Sequence, residues 1–389
     1  MTETIPDPLW ISPATPGDVA AALRRAADAR QAIQIRGAGT KSHWGRAARP
    51  VDAVLDMRGL NRVLAHAHGD MTATVEAGAS LHDVNLALSQ HRQWLPLDPP
   101  FADRATIGGI LATNDSGPLR HRYGTPRDLV IGIRLATTDG TLSKAGGQVV
   151  KNVAGYDLGK LMTGSFGAFA AIVSATFKLA PIPHASKTLR VDIASLGGIA
   201  RTVTAVTTSQ LEPLAFEIAI RNRRATMLVR FASLPAVVDA QVEQAQAALT
   251  GSATHLAILT AEVEQAAWRE HVDAIWTGDS IVVRASWLPA NIDAAIAELQ
   301  ACAVNLDVQL IGRAAIGAGL MRIAGPLDLQ RRAIETLRAS SAFGNVTVVR
   351  GPAALAVDVW PPDHGRARLF ASLKQAFDPA HVLVGQGPL

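Results

Sequence analysis

The spacing of apolar residues along the first 180 positions predicts short strands that alternate with helices. Apolar residues recur at helical spacing behind Thr15, a helix-capping residue, and Pro16, a first-turn proline, and so predict a first helix. Short apolar runs bounded by turn residues predict strands at residues 33–36, 53–56, 72–76, 130–137, 141–143 and 171–179. Further helices are predicted at residues 81–89 and within 153–162. An Asp139-Gly140 turn joins two of the strands as a hairpin.

The pattern changes near residue 185, where glycines become sparse and Ala-rich helical segments take over. Strands are predicted at 188–193, 215–220, 227–231 and 280–286, and helices at 234–249, 290–301 and 327–339. The tail returns to a strand at 355–360 and a helix at 366–377. A proline-punctuated stretch at 180–184 marks the boundary. We therefore expect an α+β fold with domains at 1–184 and 185–350, the second an antiparallel sheet backed by helices, and a segment 351–389 that returns to the first domain.

Composition narrows the class of protein. The chain has 389 residues, 48% of them hydrophobic and 18% charged, which excludes a disordered chain and suits two cores. A single cysteine, Cys302, excludes disulfides, a Cys-based zinc site and an iron–sulfur cluster carried by this chain. The N-terminus lacks a signal-peptide pattern, and the longest nearly apolar run, 166–175, is half of what a membrane helix needs. The expectation is a soluble, cytoplasmic protein that carries no metal site.

The net charge of +4 is modest, and the basic residues are scattered without interleaved aromatic residues. The densest spots are Arg24-Arg25 and Arg223-Arg224. This pattern favours a solvated surface over a nucleic-acid groove, while binding of an anionic ligand stays open.

The sharpest local motif follows the strand predicted at 33–36 and reads Arg36-Gly37-Ala38-Gly39-Thr40-Lys41. Glycines allow positive φ, so that successive backbone N–H groups can point at one anion, and the basic residues add charge. Such a loop suits a pyrophosphate; the alternative is a tight turn without a ligand. Position 42 is Ser and Gly39 precedes Thr40-Lys41, so neither a dinucleotide fingerprint nor a Walker loop fits.

Two more segments are rich in glycine and small polar residues. Residues 97–100 read Leu-Asp-Pro-Pro, and residues 105–117 contain Gly108, Gly109 and several hydrogen-bonding side chains. Small residues allow a flat ring to lie against the backbone, although the segment alone is also typical of a surface loop. A third segment reads KNVAGYDL at 151–158 and is followed by GSFG at 164–167.

Taken in order, RGAGTK, VEAG at 75–78, DPP, TIGG, TN, YGTPRD at 123–128, KNVAGYDL and GSFG resemble one family. The chain resembles the FAD-binding domain of the vanillyl-alcohol oxidase and p-cresol methylhydroxylase (PCMH) superfamily. Within it, the chain is most similar to the E-type FAD-binding subunits of bacterial glycolate oxidase (glycolate dehydrogenase). The resemblance is specific over residues 15–180 and otherwise rests on the layout and the tail motif LKQAFDP at 373–379.

The resemblance implies that this chain binds FAD. The loop residues Gly37, Ala38, Gly39 and Thr40 would hold the pyrophosphate, with Arg36 and Lys41 beside them. The ribityl chain and isoalloxazine would lie along Pro99, Thr106, Gly108, Gly109, Thr113, Asn114 and Ser116, and the site would close at Gly167 and Ile172. No histidine stands at the family's attachment positions, so non-covalent FAD is expected. The chain departs from the family at Phe166, Ala170, Val173-Ser174 and Val384-Gly385-Gln386-Gly387.

No residue is assigned as catalytic. The family's catalytic members carry a His-x-Gly-Asp-Gly-Asn-type motif, whereas residues 185–350 contain only His255 and His271. Without a proton acceptor, hydride removal is expected to be slow. The resemblance therefore implies an accessory subunit that works with a catalytic FAD subunit and an iron–sulfur subunit on glycolate or another small 2-hydroxy acid, with any membrane contact made through a partner. The alternatives are a stand-alone oxidase or dehydrogenase of another alcohol, sugar or lactone, and a non-catalytic subunit that has lost FAD.

Two other features favour ordinary structural roles. His66 and His68 alternate in one short segment and lack an evident third metal ligand, so a turn before a strand is the favoured interpretation. Cys302 lies among Ala, Leu and Val in a predicted helix, which favours a buried thiol over a nucleophile.

Overall fold

The chain divides into two compact units in a computed structural model that describes residues 7–45, 50–147, 155–193, 195–278, 280–355, 357–360 and 363–385. The first unit comprises residues 1–117, 123–182 and 363–389, and the second comprises 118–122 and 183–362. The short stretch 118–122 thus packs with the second unit although its neighbours in sequence belong to the first.

A small parallel sheet begins the first unit. Its strands are β1 (Leu9–Ile11), β2 (Ile33–Arg36) and β3 (Ala53–Asp56), in the order β1-β3-β2. Helix α1 (Pro16–Asp28) starts with a capping box between Thr15 and Asp18 and buries Val19 and Leu23. This burial supplies most of the stabilisation, because a helix of 13 residues is marginal by itself.

The rest of the first unit contains a five-stranded antiparallel sheet and a separate pair of short strands. In chain order the strands are β4 (Val63–Ala67), β5 (Thr72–Glu76), β6 (Gln93–Trp94), β7 (Val130–Ala136), β8 (Leu142–Gly146), β9 (Ala171–Lys178) and β10 (Ala180–Pro181). The sheet order is β4-β5-β9-β7-β8, and β6 pairs separately with β10. The helices are α2 (Leu81–Ser89), α3 (Ile107–Thr113), α5 (Pro126–Leu129) and α6 (Leu158–Met162), while the short α4 (Arg120–Tyr123) lies mostly in the stretch that packs with the second unit. Residues of α2 and α3 share one apolar core with strands β5, β7 and β9.

The second unit is built on an eight-stranded antiparallel sheet. Its strands are β11 (Ala185–Ile193), β12 (Ala215–Arg221), β13 (Arg224–Ser233), β14 (Ala253–Thr260), β15 (Ile281–Ser286), β16 (Asp307–Arg313), β17 (Ala318–Ala324) and β18 (Asn345–Arg350), ordered β14-β11-β13-β12-β16-β17-β15-β18. Its helices are α7 (Ile199–Thr207), α8 (Pro235–Leu249), α9 (Ala261–Asp273), α10 (Ile292–Cys302) and α11 (Leu327–Ala339).

The two faces of this sheet differ sharply, because alternate residues of a strand point to opposite sides. One face is apolar and packs with residues of α7, α8, α10 and α11 in a single core that includes Phe216 and Phe231. Among the described residues, the opposite face is rich in arginines, including Arg190, Arg221, Arg224, Arg230, Arg284, Arg313 and Arg322. Helix α9 lies on that face, where Trp268 donates a hydrogen bond to the Thr188 hydroxyl.

The last helix, α12 (His364–Phe377), returns the chain to the first unit. The buried Lys374 ammonium lies 2.7 Å from Asp378 and donates hydrogen bonds to the carbonyls of Ala168 and Leu383. Beyond α12, the backbone N–H of Val384 donates to the carbonyl of Ile33 in β2. These contacts fix the C-terminal segment along the small parallel sheet.

The α+β fold class expected from the sequence is confirmed, with one strand predicted wrongly. Residues 353–355 form a single 3-10 turn, and residues 357–360 form no strand, although the Val348 N–H reaches the Val359 carbonyl. The helix predicted within 153–162 is present as α6, while residues 153 and 154 lie outside the described residues. The Asp139-Gly140 hairpin turn is confirmed by paired hydrogen bonds between Thr137 and Thr141 and between Gly140 and Thr137.

Candidate functional site

A cleft of about 920 Å³ opens in the first unit where β2 ends. Its walls come from residues 34–42, the N-terminal part of α3, residues 165–172 and Val384. Four segments distant in sequence therefore meet at one place, and the Arg36–Lys41 loop forms the side next to β2.

The glycine loop is built to expose backbone donors. Gly39 has φ +70°, a value that side-chain-bearing residues rarely adopt. A Cβ at Gly37 would collide with the Thr106 hydroxyl, so only glycine permits the close approach of the loop to α3. No described residue accepts a hydrogen bond from the backbone N–H of Ala38, Gly39 or Thr40. Consecutive free N–H groups on a cleft wall can bind an anion.

Two cations border the loop. The guanidinium of Arg36 lies against Gly39, where a Cβ would approach it to 2.6 Å, and 5.3 Å from the centre of the Trp10 ring. Lys41 is only 8% exposed, and its ammonium lies 5.5 Å from the centre of the Trp44 ring. Hydrogen bonds from Arg58 and the charge of Arg36 hold the pKa of the Asp56 carboxyl below its usual value. The loop therefore combines backbone donors with positive charge.

The wall on the other side of the loop is the start of α3. Thr106 caps this helix and accepts a hydrogen bond from the Gly109 N–H at 3.4 Å. The Gly108 N–H donates to the Ala77 carbonyl, and a Cβ at Gly108 would come within 3.0 Å of Ala77. Thr113 ends the helix with its hydroxyl donating to the Gly109 carbonyl. Small residues thus keep this wall flat, as a ring-shaped ligand requires.

The remaining walls come from positions at which the chain departs from the family it resembles. The Phe166 N–H donates to the Ala112 carbonyl and holds residues 165–167 against α3. Gly167 has φ +74°, and a Cβ there would meet nothing within 4 Å. Ala170 and Val384 also line the cleft. Three of the departures, Phe166, Ala170 and Val384, therefore lie in the wall of the cleft.

Most of the predicted cofactor residues lie together. Those that line the cleft are Arg36, Gly37, Ala38, Gly39, Thr40, Lys41, Thr106, Gly108, Gly109, Thr113, Gly167 and Ile172. Three predicted residues, Pro99, Asn114 and Ser116, do not line it. Asn114 ends α3 with φ +46°, and its buried Oδ1 atom has no described donor. The roles of all these residues toward a cofactor stay predictions.

Several residues that line the cleft were not singled out from the sequence. Gln34, Ser42, Met57, Ala77, Ala112 and Ser165 also line the cleft. Ala77, Ala112 and Ser165 lie inside segments that were recognised, and Gln34 and Ser42 lie beside the glycine loop. Met57 follows the predicted strand 53–56, so the strand end was the available signal there. Residues 151–154 of the KNVAGYDL motif lie outside the described residues.

The second unit contains a buried ionic cluster. Glu217 is fully buried, 3.3 Å from the Arg313 guanidinium and 3.0 Å from Nε2 of His271. Nearby, His121 lies in the 118–122 stretch with its ring 6.4 Å from that of Phe216. Burial lowers the pKa of His121, and this effect outweighs the negative charge of Glu217, which raises that pKa. His121 is therefore neutral at pH 7 and chemically able to accept a proton.

The surroundings of the His66 and His68 pair and of Cys302 indicate structural roles. The His68 ring stacks on His91 at 4.4 Å, with His66 beside them, but no His, Cys, Asp or Glu group in the described part of the chain is arranged to hold a metal ion. Cys302 is half-buried beside the second unit's core, and burial raises the pKa of its thiol. Among the described helices, none is both long and apolar enough to cross a membrane.

Comparison with known proteins identifies the first unit. Residues 8–146 match a family model described as FAD binding domain. The chain is 35% identical over 184 residues to the glycolate oxidase subunit GlcE of Escherichia coli (strain K12), covering 47% of this chain and 51% of that protein. It is 31% identical over 215 residues to the glycolate oxidase subunit GlcD of Bacillus subtilis (strain 168), covering 55% of this chain and 46% of that protein.

The fold extends further than the sequence likeness. A solved structure of alkyldihydroxyacetonephosphate synthase superposes with a TM-score of 0.72 at 15% identity, covering 97% of this chain and 76% of that chain. The chain matches the curated relatives over about half of their length. FAD fits the cleft, because the loop leaves consecutive N–H groups for a pyrophosphate and α3 offers a flat wall. The comparisons thus identify residues 8–146, most of which lie in the first unit, as an FAD-binding domain similar to that of the glycolate oxidase subunits.

Proposed function

We propose that this chain binds FAD non-covalently in the cleft and takes part in oxidising glycolate or a related 2-hydroxy acid to the 2-oxo acid. The single observation that carries the proposal is the row of free backbone N–H groups at Ala38, Gly39 and Thr40, bordered by Arg36 and Lys41, inside a domain that matches an FAD-binding family. The flavin supplies the hydride acceptor for the C–H bond beside the substrate hydroxyl.

The chain's own residues would position the cofactor. The loop donors would neutralise the pyrophosphate, and the α3 wall, with Gly108 and Gly109, would accept the ring system face-on. Phe166 and Val384 would exclude water on the remaining sides. Because the C-terminal segment carries Val384, its attachment through Lys374 supports the site as well. Asn114 and Ser116 would contribute through the shape of the turn that follows α3, and Pro99 through the loop that precedes this helix.

We further propose that the chain is an accessory subunit, working with a catalytic FAD subunit and an iron–sulfur subunit. The similarity to GlcE supports this, together with the state of the histidines in the second unit. His271 is committed to the buried Glu217, and His255 lies exposed on the edge strand β14. Electrons leaving the flavin need an external carrier, because one cysteine cannot hold an iron–sulfur cluster. The proposed location is the cytoplasm, with membrane contact only through a partner.

One observation favours a second function, that of a stand-alone oxidase or dehydrogenase acting on another alcohol, sugar or lactone. His121 is kept neutral by burial, and its Nδ1 atom has no described hydrogen-bond partner. A neutral imidazole with a free nitrogen can accept the proton of a substrate hydroxyl. The two functions differ in whether the isolated chain reacts with substrate.

Stopped-flow reduction of the FAD-loaded chain by glycolate, lactate and a panel of sugars distinguishes them. The accessory function predicts slow bleaching of the flavin by every substrate, and faster acceptor reduction once the two partner subunits are added. Fast bleaching of the lone chain by one substrate, abolished in His121→Gln, would establish the stand-alone function instead. Failure of the folded chain to bind FAD would contradict both and indicate a non-catalytic subunit.

A further inference from the structure

The eight-stranded sheet presents a basic cleft on the face that its four packing helices leave open. The cleft encloses about 1380 Å³ between the strands and α9, and all of its lining residues belong to the second unit. Three arginines, Arg190, Arg221 and Arg224, stand around an apolar floor of Ala219, Leu228 and Ile311. Leu228 and Ile311 are buried at 5% and 2% exposure, so the floor is part of the folded core of the sheet.

Two of the arginines face each other across a hairpin. Arg221 at the end of β12 pairs directly with Arg224 at the start of β13, and both side chains are exposed. Like charges directly opposite each other on neighbouring strands are destabilising. Within the described part of the chain, no residue forms an ion pair or a hydrogen bond with either guanidinium. Their mutual repulsion is therefore not relieved by this chain.

The turn between them is also strained. Asn222 and Arg223 have φ +49° and +61°, so both occupy the left-handed region that the two-residue hairpin requires. Asparagine tolerates this region, but arginine there carries a conformational cost. The hairpin thus places Arg221 and Arg224 side by side despite the backbone strain of its turn and the repulsion between the two charges.

The other charged groups around the cleft do not neutralise this pair. Arg190 lies 3.3 Å from Asp192, which also accepts a hydrogen bond from Thr226. His271 is bonded to the buried Glu217. Glu270 is the acidic residue in the lining, and it faces three arginines. The balance of charge in the cleft is positive.

A side-chain amide on the cleft wall supplies an independent sign of a ligand. Gln309 on β16 lines the cleft, pairs with Arg221 across the strands and is only 6% exposed as a residue. No described residue forms a hydrogen bond with its side-chain amide. The amide atoms themselves are open to the cleft, so both the donor and the acceptor are available to a bound group. A group held by the arginine pair would therefore lie within reach of Gln309.

We propose that this cleft binds an organic anion, with its carboxylate or phosphate group held by Arg221, Arg224 and Gln309 and its apolar part on the Leu228–Ile311 floor. Planar guanidinium groups bind both kinds of oxyanion in a bidentate manner, so the chemistry shared by the two classes is what the cleft recognises. The two clefts have no lining residue in common, so this proposal does not rest on the proposed function.

Isothermal titration of the FAD-saturated full chain tests this with two matched aromatic probes, phthalate for the carboxylate class and phenyl phosphate for the phosphate class. Saturable binding of either probe is expected, and the tighter one identifies the class. Inorganic phosphate should bind more weakly than phenyl phosphate, because it cannot use the floor. Arg221→Gln with Arg224→Gln should weaken binding about tenfold or more, and Gln309→Leu about threefold or more. Thermal unfolding of each variant checks that it is folded.

The matched control is Arg201→Gln, which removes one exposed arginine from α7 on the opposite side of the sheet and should leave affinity unchanged. Absence of saturable binding by both probes in the millimolar range would overturn the proposal. Equal affinities in the wild type and the folded double variant would also overturn it, as would a loss in Arg201→Gln as large as that in the double variant. Equal binding of inorganic phosphate and phenyl phosphate would contradict the role of the floor and hence an organic ligand.

Discussion

Replacing Gly39 by valine perturbs the loop that the proposed cofactor depends on. Gly39 has φ +70°, and a Cβ at this position would lie 2.6 Å from Nη2 and 2.7 Å from Nε of Arg36. The left-handed backbone costs a residue with a side chain about 1–2 kcal/mol, and more if it is β-branched. The Arg36 side chain is flexible and would swing away, so the second cost is the loss of its charge beside the pyrophosphate.

A hydrogen bond to a charged group contributes about 1.5–3 kcal/mol. Added to the backbone strain, the change in FAD binding free energy is about 2.5–5 kcal/mol, or roughly 10²–10⁴-fold in Kd. We therefore expect Gly39→Val to purify almost without flavin. Titrating apo-protein with FAD and following the quenching of flavin fluorescence measures the Kd directly.

The control is Gly69→Val, at a glycine of the same unit where a Cβ meets nothing within 4 Å and φ is not positive. It should bind FAD like the wild type, while thermal unfolding confirms that both variants are folded. An unchanged Kd in folded Gly39→Val would refute the assignment of the loop to the pyrophosphate.

Three further expectations follow from other contacts. Thr40→Ala should weaken FAD binding by about 1 kcal/mol, the value of one hydrogen bond, in the same titration. Burial of Glu76 raises the pKa of its carboxyl, but the stronger combined effect of hydrogen bonds and charge from Arg62 lowers this pKa below its usual value. The ionised Glu76 carboxylate therefore stabilises the fold at neutral pH, and this stabilisation is lost as pH falls through the lowered pKa. In Glu76→Gln, the free energy of unfolding measured with denaturant should fall less steeply between neutral and acidic pH. An unchanged pH profile would count against this. Lys374→Met should lower the unfolding free energy by about 3–5 kcal/mol, because it leaves Asp378 charged and buried; a stability within about 1 kcal/mol of the wild type would contradict that role.

The parts of the fold that were predictable are those set by local sequence. Thr15, Pro16 and Asp18 start α1 by capping chemistry alone, and the Asp139-Gly140 turn forms as its dipeptide indicates. The glycine loop after β2 was predictable for the same reason, since Gly39 needs positive φ regardless of its distant neighbours.

Other parts depend on contacts that sequence spacing does not reveal. Strand β16 ends in Arg313, which is buried only because Glu217 lies opposite it on β12, so its charge argues against a buried strand in the sequence. The short apolar run after Leu355 resembles a strand, yet its described residues form no ladder: the Val359 carbonyl accepts one backbone hydrogen bond, from Val348 of the edge strand β18. Val384 reaches the cleft wall because Lys374 fixes the tail, a contact between residues that no local pattern connects to the glycine loop.

The central claim, that the first-unit cleft holds FAD without a covalent bond, is tested most directly by the flavin content of the purified full chain. The visible spectrum is recorded, the protein is precipitated with acid, and the supernatant and pellet are assayed for flavin. The account predicts a yellow protein with flavin maxima, whose FAD is recovered in the supernatant at about one per chain. A folded chain that is colourless and takes up no added FAD would contradict the account, and flavin retained in the pellet would contradict non-covalent binding.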